Sequence, residues 1–271
     1  MEKALGLITG NGRLPEFVAE EAKRAGYRLA VCAIQGETNT KISSIADRLE
    51  WIRLGQLGRA IKFFKSERIS EAVLAGKITK VNLFRGDIKP DLEMVKALAK
   101  VRNHSDDSLL GRIADHLNRR GIRILETTSF LSEDALPRHG VLTARRPSKK
   151  ELEDIAFGWH LAKEMGRLDV GQTVVVKNKA VLAVEAIEGT DEAILRGGTL
   201  GNSDVTIVKV AKPNQDMRFD IPTIGLGTLE AMINARARVL AFEGRKTIVL
   251  DRKRLIEKAN DYKITILAKE V

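Results

Sequence analysis

Leu5-Gly6-Leu7-Ile8-Thr9-Gly10-Asn11-Gly12-Arg13-Leu14-Pro15 reads as a short buried strand, a glycine turn and the start of a helix. Pro15 suits a first helical turn, where its missing N–H costs no hydrogen bond. The helix extends to Ala25 and stops at Gly26. The pattern then repeats. Arg28 to Ile34 and Leu49 to Leu54 read as strands, Leu57 to Glu67 as a helix and Glu71 to Gly76 as a strand. Pro90 to Arg102 and Asp106 to Arg119 read as helices, the second capped by Ser105, and Ile122 to Thr127 as a further strand. Strands and helices in turn predict an α/β domain: a parallel sheet with helices on both faces.

The second half differs. Leu131 to Arg146, with Pro137 and Gly140, reads as a connecting segment, and the spacing predicts domains at 1–132 and 133–271. Ser148 and Glu151 form a capping box for a helix reaching about Met165. Thr173 to Val176 and Ala180 to Ala186 read as a strand pair joined by Lys177-Asn178-Lys179. Val205 to Val210 is a strand, Thr228 to Phe242 a helix, Thr247 to Leu250 a strand, Arg252 to Asp261 a helix and Ile264 to Ala268 a strand. This is a distinct α/β unit with a mixed sheet.

The chain has 271 residues, 44% of them hydrophobic, enough for a sizeable core. Its single cysteine, Cys32, lies in an apolar run and reads as a buried structural thiol, so neither a disulfide framework nor a cysteine zinc site is expected. Met1-Glu-Lys-Ala does not resemble a signal peptide, and no apolar run approaches the roughly 20 residues of a membrane span, so the expected location is the cytoplasm. The net charge of +10 invites a nucleic-acid reading, but only 4% of residues are aromatic and no basic run interleaves with them. No nucleic-acid partner is expected. Spread positive charge suits an anionic small substrate or an anionic membrane surface.

The chemistry-bearing residues fall in a few segments. In Lys212-Pro-Asn-Gln215-Asp216-Met-Arg218-Phe-Asp220-Ile-Pro222, two carboxylates four apart flank an arginine on a stretch that two prolines and a glycine keep irregular. Glu185-Ala-Ile-Glu188-Gly189-Thr190-Asp191 reads as a second loop-like acidic cluster. Two solvated turns are the alternative to a site. The Gly10-Asn11-Gly12 turn, at a helix start with unpaired amides, can cradle a phosphate, although Pro15 stands where a dinucleotide fingerprint has its third glycine. Gly76 and Lys77 end a strand on the expected ligand side of the sheet, and a plain surface lysine is the alternative. Asp106 and Asp107 suit a helix start, and a ligand role stands beside that reading. Gln172, at a strand entrance, can read a hydroxyl or amide. His104, His116, His139 and His160 show no metal-ligand spacing, and no nucleophile elbow, P-loop or His-Glu-x-x-His is present. Any metal would be held by oxygens, which points to magnesium or manganese.

Taken together, Gly6-Leu-Ile-x-Gly10-x-Gly12-x-Leu-Pro15, Asp106-Asp107-x-Leu-Leu, Leu168-Asp-Val-Gly-Gln172, Glu185-Ala-x-Glu188-Gly-Thr-Asp191 and Gln215-Asp-x-Arg-x-Asp220-x-Pro-Thr-Ile-Gly225 resemble the UDP-2,3-diacylglucosamine pyrophosphatases of the LpxI type. The resemblance covers nearly the whole chain. It implies a Rossmann-like nucleotide-binding domain at 1–132 and a C-terminal catalytic and lipid-binding domain at 133–271. The implied activity, in lipid A biosynthesis, is metal-dependent hydrolysis of UDP-2,3-diacylglucosamine to UMP and 2,3-diacylglucosamine 1-phosphate. On this reading Asp220, Asp216 and Arg218 are catalytic. Gly10, Asn11, Gly12, Gly76, Lys77, Asp106, Asp107, Gln172, Glu188, Gly189, Thr190, Asp191, Lys212 and Gln215 bind substrate. Asp220, Asp216, Asp191 and Glu188 hold Mg²⁺ or Mn²⁺. Peripheral association with the cytoplasmic face of the inner membrane and a homodimer are further expectations. The rival readings are an NAD(P)-dependent oxidoreductase and a non-catalytic nucleotide-sugar or lipid-binding protein.

Overall fold

The computed structural model of the chain describes residues 3–78, 90–99, 106–219 and 221–270. The chain forms two compact units, Met1–Leu131 with Asp216–Asp220, and Ser132–Gln215 with Ile221–Val271. A single cut near residue 132 therefore misses one feature: the short segment Asp216–Asp220 counts with the first unit. Phe219 is buried in the first unit's core, and the Thr127 N–H donates to the Met217 carbonyl at 3.3 Å.

The first unit is built on a five-stranded sheet in the order β3-β2-β1-β4-β5. Its strands are β1 (Ala4–Thr9), β2 (Arg28–Ile34), β3 (Arg48–Ile52), β4 (Glu71–Ala75) and β5 (Arg123–Ile124), and every pairing is parallel. The helices are α1 (Leu14–Arg24), α2 (Leu57–Ser66), α3 (Leu92–Leu98) and α4 (Asp106–Arg119). Strand alternation divides the core. Leu5, Leu7, Leu29, Val31 and Ala33 pack with Val18, Ala19 and Ala22 of α1. Ala30, Cys32 and Ile34 pack with Ala60, Ile61 and Phe64 of α2 and Ala114 and Leu117 of α4. Two covered faces explain why the central strands β1 and β2 are apolar along most of their length. Cys32 is fully buried, and burial pushes its thiol well above the usual range. The strand order reverses beside β1, between β1 and β4, where such sheets open a ligand crevice at their carboxyl ends.

The second unit holds a six-stranded sheet in the order β6-β13-β11-β9-β7-β8. Its strands are β6 (Gly140–Val141), β7 (Thr173–Lys177), β8 (Ala180–Val184), β9 (Thr206–Lys209), β11 (Val239–Glu243) and β13 (Thr265–Lys269). β9, β11 and β13 run parallel, whereas β6, β7 and the β7–β8 hairpin pair antiparallel. A separate parallel pair joins β10 (Thr223–Ile224) to β12 (Ile248–Val249). The helix α5 (Lys149–Arg167) covers one face with Ile155, Trp159 and Ala162. The helices α6 (Thr190–Gly201), α7 (Leu226–Asn234) and α8 (Arg252–Asp261) share the other core with Val175, Ile207 and Phe242.

Two expectations are corrected. The acidic stretch around Asp191 is not all loop, because α6 begins at Thr190. The expected helix Thr228 to Phe242 is instead α7 followed by β11.

Candidate active site

At the switch point of the first unit, the β1–α1 turn and the end of β4 are stitched together. The Gly10 N–H donates to the Ala75 carbonyl at 2.9 Å, and the Asn11 N–H to the Lys77 carbonyl at 2.7 Å. The Lys77 N–H returns a bond to the Asn11 carbonyl at 3.1 Å. Gly10, Asn11, Gly76 and Lys77 are thus brought together. A Cβ on Gly10 would stand 2.4 Å from the Lys77 carbonyl oxygen, and Gly76 has φ +94° with a Cβ position 2.7 Å from Asn11 O. These glycines let two backbones touch. The expectation that the turn's amides are unpaired is therefore wrong for Gly10 and Asn11. Gly12, at φ +97°, has open space where a Cβ would project, so a ligand can approach the turn there. α4 starts at Asp106, but the side chains of Asp106 and Asp107 and the proposed Ser105 cap lie outside the described residues.

The 211–219 stretch is irregular, as its prolines require. Arg218 grips Asp216 with Nε at 2.9 Å from Oδ1 and Nη2 at 2.6 Å from Oδ2, and the Arg218 N–H adds a third bond at 3.0 Å. Those bonds hold the Asp216 carboxyl below its ordinary range and raise Arg218 further. The guanidinium lies 4.9 Å from the Phe219 ring centroid. Thr127 ties the stretch to the sheet: its N–H binds Met217 O, and its hydroxyl donates to Leu74 O at 3.2 Å. Within this unit, Asp216 and Arg218 therefore lie on the side where β4 runs out into Gly76 and Lys77. Asp220 lies outside the described residues.

In the second unit the polar groups gather where β7, β8 and β9 meet the start of α6. Lys209, only 4% exposed, donates to the Thr190 hydroxyl at 2.6 Å, and that hydroxyl donates to Glu185 Oε1 at 2.8 Å. Gly189, at φ +87°, turns the chain into α6. Glu188 accepts from Arg196 at 2.6 Å. Gln172 is buried at the β7 entrance, where its carbonyl accepts from the Val210 N–H, and its Oε1 has no protein partner. Lys212 binds Asp169 at 2.6 Å, and the Gln215 N–H donates to the Lys212 carbonyl at 3.0 Å.

Residues 4–133 match the model of the LpxI N-terminal domain, and residues 138–267 that of the LpxI C-terminal domain. The chain is 31% identical to the UDP-2,3-diacylglucosamine pyrophosphatase LpxI of Caulobacter vibrioides, over 98% of this chain and 97% of that relative. The chain belongs to the LpxI family.

Of the metal set expected from the LpxI resemblance, Asp220 lies outside the described residues. No three His, Cys, Asp or Glu side chains among the described residues are grouped so as to hold an ion. Asp216 is taken by Arg218 and Glu188 by Arg196, while Asp191 sits in the first turn of α6. Oxygen donors of this kind suit Mg²⁺ or Mn²⁺, and no step is routed through a metal. Of the four histidines, His116 is buried with Nε2 at 2.8 Å from Glu93, as a satisfied core residue should be.

Sequence reasoning placed Glu185 in the acidic cluster without giving it a role, and it missed Lys209, Lys163 and Glu243 as functional candidates. Lys209 ends β9, whose other residues are mainly apolar. A lysine closing Val-Thr-Ile-Val-Lys209 is the signal that could have exposed it.

Proposed function

We propose that this protein hydrolyses the pyrophosphate of UDP-2,3-diacylglucosamine to UMP and 2,3-diacylglucosamine 1-phosphate, a step of lipid A biosynthesis. The observation that carries this reading is the near full-length match to a relative named for that substrate. The geometry supports it. Pyrophosphate cleavage develops charge on phosphate oxygens, and fixed cations near those oxygens lower the barrier. Arg218, oriented by Asp216, and Lys77 offer such charge in the first unit, and Lys212 offers it in the second. Gly12 gives the nucleotide half an open approach at the head of α1, where the helix N-terminus favours an anion. Asp220 is the group we assign to the attacking water. Glu188, Gly189, Thr190, Asp191, Gln172 and Gln215 are assigned to the sugar and its phosphate. Leu168, Val170 and Ile187 are exposed apolar side chains close in sequence to Gln172 and Glu188, suited to acyl chains.

The test is incubation with UDP-2,3-diacylglucosamine followed by product mass. Metal dependence is a separate proposal, resting on the family resemblance, and excess EDTA tests it. A nicotinamide enzyme is disfavoured by Pro15 and by the use of the Gly10 and Asn11 amides within the fold. No helix among the described residues is long and apolar enough to cross a membrane. Peripheral binding to the cytoplasmic face of the inner membrane is proposed on charge alone.

A further inference from the structure

Glu243 closes β11 and is 2% exposed. Its Oε2 accepts from Lys163 Nζ at 2.5 Å and from the Ala211 N–H at 2.9 Å. Lys163, on α5, also donates to the Ala211 carbonyl at 3.0 Å. Lys246 lies 3.0 Å from the second Glu243 oxygen. One ion pair, its glutamate buried and its lysine half-buried, thus satisfies both backbone groups of Ala211, a fully buried residue just past β9, where the sheet ladder no longer supplies partners. The same stretch of α5 continues the grip. A Cβ on Gly166 would stand 3.2 Å from Lys212 Cα and 3.4 Å from Pro213 Cδ, and Asp169, just past the helix, binds Lys212. Lys163, Gly166 and Asp169 recur at intervals of three and hold consecutive residues of the chain.

A buried ion pair is not needed for stability, since well-packed apolar residues often serve as well. Apolar residues could not bind a peptide N–H and C=O at once. We infer that Lys163 and Glu243 are positioning residues that fix the start of the segment running on to Lys212, Gln215, Asp216 and Arg218. The inference rests on the reading that this segment serves pyrophosphate hydrolysis. Neither residue touches substrate in this account.

The experiment compares wild type, Lys163→Met, Lys163→Arg and Glu243→Gln. It measures steady-state hydrolysis of UDP-2,3-diacylglucosamine, thermal melting and amide hydrogen exchange of the peptide spanning Ala211. Lys163→Met should fold, lose about tenfold or more in kcat and keep KM within about twofold, because misplaced groups cost rate more than binding. Exchange at Ala211 should quicken. Lys163→Arg should recover most of the rate, and Glu243→Gln, which keeps an acceptor for the Ala211 N–H, should fall between. A lowered melting temperature with undiminished kcat per folded molecule, or unchanged exchange, would overturn the inference and leave a merely structural ion pair. A wild type that releases no UMP would instead bring down the functional reading and the inference with it.

Discussion

Asp216 spends its carboxylate on Arg218, and we propose Asp220 as the group that acts on the attacking water. Asp220→Ala should therefore fold, bind substrate and lose about 10²-fold or more in single-turnover rate, the usual cost of a positioned catalytic group. Asp216→Ala should lose less, about tenfold, by releasing Arg218. Normal turnover in Asp220→Ala beside a dead Asp216→Ala would reverse the two roles. The glycine turn makes a second prediction at this scale. Gly10→Ala places a methyl against a carbonyl oxygen and should cost about 1–3 kcal/mol in urea unfolding. Gly12→Ala has room and pays only for its positive φ, about 1 kcal/mol. The opposite ranking would show that the turn is not packed as described. The clustered motif residues were legible because charge on irregular backbone stands out in a sequence. Lys163 and Glu243 were not: the pair is 80 positions apart, and each lies in an ordinary helix or strand pattern.

α5 shows an element written plainly in the chain. Ser148 accepts from the Glu151 N–H, and Glu151 from the Ser148 N–H, as the capping box requires. Ser148→Ala should lower stability by about 1 kcal/mol in denaturant titration, with the activity of folded enzyme unchanged. α3 and α4 carry a charge-dependent contact. Glu93 meets His116, Lys96 and Arg120, and the His116 bond leads in holding its carboxyl down at about 2 from an ordinary 4.5. A depressed carboxylate contributes stability that is complete above its unfolded value and is lost as pH falls through the folded one. Melting temperature should therefore drop between pH 4.5 and about 2, and Glu93→Gln should flatten that drop; equal slopes in the two proteins would contradict it. Two elements were hidden for physical reasons. α7 passes into β11 without Gly or Pro, because Arg236 itself takes φ +50° at the turn. α6 was obscured by Gly197 and Gly198, which look like breakers. They are there for packing: a Cβ on Gly197 would stand 2.6 Å from Val175, and one on Gly198 2.4 Å from Ala235.

At the scale of the molecule, alternating strands and helices made the first unit's parallel sheet legible, and turn chemistry made the β7–β8 hairpin so. The return of Asp216–Asp220 to the first unit was not legible, because Phe219 is one apolar residue in a polar stretch and only the folded core shows where it packs. Acyl chains are part of the proposed recognition. Each buried methylene is worth about 0.8 kcal/mol, so UDP-N-acetylglucosamine at low concentration should turn over far more slowly than the diacylated substrate, and equal rates would refute that part. The central claim is pyrophosphate hydrolysis of the lipid-linked nucleotide sugar. The most direct measurement is mass analysis of the products after purified protein meets UDP-2,3-diacylglucosamine, with and without excess EDTA. The account predicts UMP and 2,3-diacylglucosamine 1-phosphate in equal amounts, suppressed by the chelator. Substrate recovered intact in the presence of magnesium or manganese would contradict the activity, and full turnover in EDTA would contradict the metal alone.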